Sequence, residues 1–407
     1  RKLWVPAPSS TQASDGLGPF YNARSCEACH VNDGRGHTPE GAADATSMFL
    51  RLARGPASAA EEKALTEHMA LNFPDPIYGG QLQDKAIAGL KAEGRMAISY
   101  ETLRFRYPDG TAVDLRKPTY AAVDLRYGPL ASTTTVSPRV TPQMIGLGLI
   151  EAIADSDLQA HADPDDRDGD GISGRLQVVR DTAGKLAVGR FGWKAERASL
   201  RDQSAHALLG DIGISTPDLP FPQGDCTPAQ ADCLSFPNGE QARLGEGEAP
   251  EAVLSLITFY SQHLAVPARR KAGFADILAG KRLFYETGCA SCHVPKYVTR
   301  KDWPDPSLRF QLVWPYSDFL LHDMGAALAD GQPVGEANGK EWRTPPLWGI
   351  GLTRTVSGSE FYLHDGRARS LEEAILWHEG EAEPARNRFA ALAQSDRRLL
   401  IAFLESL

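Results

Sequence analysis

The 407-residue chain has no run of apolar residues near the roughly 20 that a membrane-spanning helix requires, which excludes a helical membrane span. Positive charge is also in short supply. Forty-three Lys and Arg stand against 52 Asp and Glu, for a formal net charge of −9, which argues against nucleic acid as a partner. Cysteine is scarce, with six in the whole chain. That number leaves no further thiols to complete a zinc cluster of the usual ligand count. No leader-like segment precedes Arg1, so the chain is expected to be the mature form of an exported protein. A hydrophobic content of 42% over this length is enough for two or three cores.

Four of the six cysteines fall in one pattern used twice, Cys26-Glu27-Ala28-Cys29-His30 and Cys289-Ala290-Ser291-Cys292-His293. Cys-x-x-Cys-His is the attachment pentapeptide of c-type haem. Two thiols one helical turn apart can form thioethers to the two haem vinyl groups, while the adjacent imidazole ligates the iron. A redox dithiol needs no following histidine. The sequence therefore predicts two covalently attached c-type haems, with His30 and His293 as proximal ligands. The remaining pair, Cys226 and Cys233, lies in a polar, proline-containing segment and reads as a disulfide worth about 2–3 kcal/mol. Haem attachment and a disulfide together predict a periplasmic protein of the Gram-negative type, outside the reducing cytoplasm.

The two motifs belong to a longer repeat. After the first comes Thr141-Pro142-Gln143-Met144-Ile145-Gly146-Leu147-Gly148-Leu149, and after the second Thr344-Pro345-Pro346-Leu347-Trp348-Gly349-Ile350-Gly351-Leu352, in gapless register. Further on, Phe191-Gly192-Trp193 through Ser199-Leu200 parallels Phe361-Tyr362-Leu363 through Ser370-Leu371 with one residue inserted. Landmarks in the same order on both halves predict two related units. We place the first at 1–245, with insertions, and the second at 246–407, joined through Gly-Glu-Gly-Glu-Ala-Pro at 245–250. Helical periodicity marks Gly273 to Tyr285 and Leu371 to His378. Ile98 to Val113 alternates around Tyr107-Pro108-Asp109-Gly110 as a hairpin, and a second hairpin turns at 182–185. The expected fold is mainly α, with small β-hairpin insertions.

The order of haem motif, Thr-Pro element and Phe361-x-x-His-Asp-Gly-Arg-Ala followed by Ser-Leu-Glu-Glu-Ala (ending at Ala374) resembles the bacterial di-haem cytochrome c peroxidase superfamily. Within it, the phrases at 16–26, 168–175, 189–195 and 321–325 are similar to the di-haem oxidoreductase branch, also called thiol oxidoreductases. The resemblance covers nearly the whole chain and implies two cytochrome c-like haem domains related by a pseudo-twofold. The thiol label gains little, because every cysteine already has an assignment.

The resemblance also implies roles. It places His378 at the distal position of the C-terminal haem, with Met324 or His322 as the alternatives. The repeat puts Ala207 at the equivalent place of the N-terminal haem, which would leave that iron open to peroxide. For the acid–base group there, Asp211 is the first candidate, followed by Glu151 and His206. Trp193 aligns with a tryptophan that relays electrons between the haems. Separately, Asp166, Asp168 and Asp170 alternate ahead of Gly171, a spacing that suits a hard cation such as Ca²⁺. The twelfth position is Gln177, so a solvated acidic turn stays open as the other reading.

These readings converge on a peroxidase-type oxidoreductase, reducing hydrogen peroxide at the N-terminal haem with electrons arriving through the C-terminal one. A small cytochrome c or cupredoxin is the expected donor, and the net charge suggests a basic docking face on it. Oxidation or oxygenation of an organic or protein substrate through high-valent iron is the second reading. A non-catalytic electron-transfer cytochrome is the third.

Overall fold

The computed structural model describes residues 3–11, 14–39 and 46–407. Among these residues it contains thirteen α-helices and six two-stranded antiparallel sheets. The fold is thus mixed, and the expectation of a mainly helical protein is corrected. The reason lies in two strand pairs. Arg95–Arg106 and Ala112–Val123 form a long hairpin in full register, Arg106 opposite Ala112. Met48–Ala53 pairs with Thr135–Val140. In the hairpin, Ile98, Tyr100 and Thr102 alternate on one face, residue types that favour a pleated surface, and in the second pair Met48, Leu50 and Leu52 alternate as the buried face. The second expected hairpin is present as Val178–Arg180 with Leu186–Val188. No helix among the described residues is long and apolar enough to cross a membrane.

The repeated landmarks adopt repeated conformations. Gly146 and Gly349 both sit in the left-handed region, at φ 71° and 73°, and each starts a short helical turn. Two residues on, a Cβ at Gly148 would overlap the Gln262 carbonyl, and one at Gly351 the Glu405 carbonyl. Each glycine therefore allows a turn to press on the end of a long helix, Glu251–Gln262 in one case and Gln394–Ser406 in the other. In the second landmark, Phe191 bridges to Arg197 as Tyr362 bridges to Ala368. Ser199 then caps Leu200–Ala207, and Ser370 caps Leu371–Leu376, each hydroxyl accepting the amide three residues on. A serine there satisfies one of the four orphan amides of a helix start.

The segment at 245–250 is pinned in place. Glu248 is buried and accepts hydrogen bonds from the Ser215 and Gly239 amides at 3.0 and 2.7 Å. The helix Glu251–Gln262 that follows it packs on the first half, with Leu254 buried among Trp4, Ala205 and Leu208. In the second half, helix Ala275–Glu286 packs on Gln394–Ser406 through Phe284 and Phe403, ring centroids 5.2 Å apart. Both Phe403 and the adjoining Tyr316 are fully buried.

The long hairpin belongs to the first half by sequence but braces the second. The Tyr107 hydroxyl donates to Glu372 at 2.8 Å, the Arg116 amide to Glu373 at 2.6 Å, and the Tyr120 hydroxyl to Asp365 at 3.0 Å. These bonds fix the helix Leu371–Leu376, which ends just before His378.

Burial pushes the Glu93 carboxyl up to about 8 and that of Glu248 up to about 7, from an ordinary 4.5. A raised carboxyl favours the folded state while protonated, so this stability is complete below 4.5 and is lost as pH rises through 7–8. Urea denaturation across pH 5–9 should show unfolding free energy falling with pH. Glu93→Gln should flatten that slope, and an unchanged slope would contradict the assignment.

Candidate haem-binding cavity

Each Cys-Cys-His motif is set by a short turn. Cys26–Cys29 is one α-turn, with the Ser25 hydroxyl accepting the Ala28 amide at 3.3 Å, and the His30 amide donates to the Cys26 carbonyl. Cys289–Ser291 is a 3₁₀ turn entered through Gly288 at φ 84°, and the His293 amide donates to the Cys289 carbonyl. The turns place both thiols and the imidazole of each motif on one wall.

Those walls face a cavity of about 1100 Å³ that both motifs share. Single small ligands occupy pockets of roughly 300–1,000 Å³, so the space exceeds that range. Besides the motif residues it is lined by His378, Ala207, Asp211, His206, Trp193, His322 and Met324. Glu151 is not among the lining residues. Its two oxygens accept from the Leu200 amide and the Gln262 side chain, at 2.8 and 2.7 Å, which ties the start of one helix to the ends of two others.

The imidazoles differ in what they have free. Burial lowers His30 and His293 to about 4, so both rings are neutral near pH 7. The His293 Nδ1–H donates to the Tyr316 carbonyl at 2.8 Å, a bond that fixes the tautomer and leaves Nε2 as a ligand atom. His30 Nδ1 lies by the Pro142 carbonyl without a well-directed bond. His378 donates from Nδ1 to the Ala374 carbonyl at 2.8 Å, again leaving Nε2, and burial lowers its basicity. His322 has no lone pair to offer. Its two nitrogens donate to Asp318 and Glu381 at 2.8 and 2.7 Å. Burial opposes its charge, but the Asp318 carboxylate holds it well above the usual histidine range. Met324 packs between Val140, Trp193 and Trp342.

Asp211 sits in a π-helical turn, Leu208–Ile212, that prolongs the helix carrying Ala207. Such turns recur at functional sites. Burial raises its carboxyl, while Arg51, 4.0 Å away, and the Gln81 amide at 3.1 Å work against the rise. His206, on the helix Leu200–Ala207, is engaged by the Asp202 carboxylate one turn back at 3.0 Å. Asp225 was not legible from sequence: the Cys226–Cys233 disulfide loop brings it to the same cavity wall, where it accepts the Gly80 amide at 2.5 Å and burial lifts it to about 6.

An aromatic layer lines the cavity that the two motifs share. The Trp193 indole donates to the Val140 carbonyl at 2.8 Å and meets His364 edge-on at 6.5 Å. His364 stacks on Trp342 at 3.7 Å. His364 stands in the repeated motif, but nothing in its spacing marked it as a partner of Trp342. Beneath Trp342, 4.5 Å from its ring, the fully buried Lys194 ammonium donates to Asp330 at 2.9 Å and to the Gln332 carbonyl at 2.7 Å.

Haem fits this donor set. The cavity is large, the imidazoles of His30, His293, His364 and His378, all shifted toward the neutral form, line it, and Arg35 and Arg343 on its wall bond only to backbone carbonyls among the described residues. Burial lowers both guanidiniums to about 10. Buried cations without a carboxylate partner suit the acidic side groups of a haem. Elsewhere, the carboxylates of Asp166, Asp168 and Asp170 converge to within 4.8 Å of one another in an exposed loop.

Compared with known families, residues 4–407 match the family described as "Di-haem oxidoreductase, putative peroxidase". No curated protein and no solved structure matches the chain.

Removing one partner of a buried pair leaves an uncompensated charge, at a cost of about 3–5 kcal/mol. Lys194→Met should therefore destabilise the protein by that amount in urea denaturation. Lys194→Met with Asp330→Leu should recover most of the loss, and a single variant as stable as wild type would show the pair to be dispensable.

Proposed function

The chain belongs to the di-haem oxidoreductase family, and from that premise we propose that it reduces hydrogen peroxide with single electrons supplied by a small redox protein, in an oxidising compartment outside the cytoplasm. Haem bound at each motif would supply iron that passes electrons and, where a coordination position is open, takes peroxide. Cys26, Cys29 and His30 would hold one haem, and Cys289, Cys292 and His293 the other.

One observation carries the reading. At equivalent places in the repeat, seven residues after the capped helix begins, His378 and Ala207 face the same cavity. His293 and His378 would hold the iron of one haem from both sides, suiting it to electron transfer. The methyl group of Ala207 offers no ligand atom, so the other iron would keep a position for peroxide. Asp211 lies in the turn directly after Ala207 and is pushed up by burial. A carboxyl with a raised value can take a proton from the near oxygen of peroxide and return it to the far one. Arg51 beside it favours the charged, proton-accepting form. Trp193, on the wall of the cavity that both motifs share, would carry electrons from one site to the other.

The oxidised protein should show one low-spin and one high-spin haem by EPR. His378→Ala should convert the low-spin signal, and Asp211→Asn should lower the peroxide-dependent rate by about 10²–10⁴ while leaving both spectra intact. Two low-spin haems that ignore a peroxide titration would sink the proposal.

A further inference from the structure

A surface patch of the second half has the opposite charge to the molecule as a whole. Tyr297–Val298 and Leu312–Val313 pair antiparallel, with Val298 opposite Leu312. The outward face of this pair is apolar: Leu312 is 57% exposed, Val298 43%, Phe310 74% and Trp314 40%. Exposed apolar residues gathered in one place mark an interaction site more than singly scattered ones do. Two cations flank the tryptophan. Lys281 Nζ lies 5.4 Å and Lys296 Nζ 5.7 Å from the Trp314 ring centroid. Neither lysine is paired with a carboxylate among the described residues, whereas Arg300 nearby is held by Asp302 at 3.0 Å. From Lys281 to Trp314 the chain carries six Lys and Arg against three Asp and Glu. On a protein of net charge −9 this stretch carries an excess of positive charge, with Asp157 the carboxylate beside Lys296.

The same tryptophan leads inward. Its ring centroid is 6.4 Å from Tyr316, Tyr316 is 5.8 Å from Phe284, and Phe284 is 6.3 Å from the His293 imidazole. Backbone completes the route, because the Tyr316 carbonyl, two residues beyond Trp314, accepts the His293 Nδ1–H at 2.8 Å. The patch is therefore joined to the second haem motif both through packed rings and through one hydrogen bond.

We propose that Trp314 is the port at which an electron-transfer protein with an acidic face docks, with Lys281 and Lys296 as the charges that recognise it. This rests on the reading that electrons arrive at the Cys289–His293 site. One electron would leave the partner's reduced metal for the haem that Cys289, Cys292 and His293 would hold, with no bond or proton exchanged. Net charge alone suggested a donor with a basic face, and the local excess of positive charge reverses that sign.

The test uses the haem-loaded protein with two probes, an acidic cupredoxin of the plastocyanin type and a basic mitochondrial-type cytochrome c. The cupredoxin should bind with an affinity that falls as salt rises, and Lys281→Glu with Lys296→Glu should weaken it by about ten-fold or more. Trp314→Leu should slow single-turnover haem reduction at saturating reduced cupredoxin by a similar factor, and Trp314→Phe by less, with the haem spectrum and potential unchanged. The proposal is overturned if the basic cytochrome binds more tightly and the charge reversal leaves binding as it was, or if Trp314→Leu is reduced at the wild-type rate. It is also overturned if the patch proves to be a self-interface, seen in sedimentation as a dimer that Leu312→Glu dissociates and that takes no cupredoxin. Peroxide consumption with ascorbate and a small mediator separates the two readings. If it is absent while cupredoxin still binds and reduces the haem, the peroxidase reading fails and the port stands. If it is present while the docking variants behave as wild type, the port alone fails.

Discussion

A single ammonium group, buried beneath a tryptophan, ties the two halves of this molecule together. Taking Lys194 out of water is costly, and the structure offsets that cost with the Asp330 carboxylate, two backbone carbonyls and the face of Trp342. All of those partners come from the second half, whereas Lys194 follows Trp193 in the first. The contact therefore holds Trp193, next to Lys194 in the same turn, beside His364 and Trp342. Arg139 and Glu196, also buried and paired, lock the same turn from its other side.

Around that joint the two halves are built alike and furnished differently. Left-handed glycines, helix-capping serines and bridged turns recur at matching places. The helix after the second serine ends at a histidine, while the helix after the first runs through an alanine into a π-turn bearing Asp211. A small change in local geometry thus converts the same framework from one that can saturate a metal to one that leaves room beside a buried carboxyl. The long hairpin packs Met96, Tyr120 and Ala122 on the core of the first half, and its bonds to Asp365, Glu372 and Glu373 hold the helix that precedes His378 in the second.

Much of this was legible in the linear order of residues. Motif spacing, capping serines and strand alternation are local properties, enforced within a turn or two of chain, so the motif turns, both hairpins and the two periodic helices lie where the sequence placed them. The α-rich expectation missed because a hairpin with two twelve-residue strands is no small insertion. The candidate acids separated for a reason of the same kind in reverse. Glu151 carries a carboxyl in a plausible place, but the Leu200 amide and Gln262 claim both of its oxygens. His322 is likewise spent on Asp318 and Glu381.

By itself the sequence determined that the chain is built on a repeated Cys-x-x-Cys-His design and where the repeat diverges, since covalent and capping chemistry depend on neighbours in the chain. Only the tertiary structure decided which charges face the cavity, that Asp225 and Asp211 share a wall, and that a basic, apolar patch stands over His293 on an acidic protein. Burial, pairing and local field are sums over residues far apart in sequence. No spacing rule along the chain contains them.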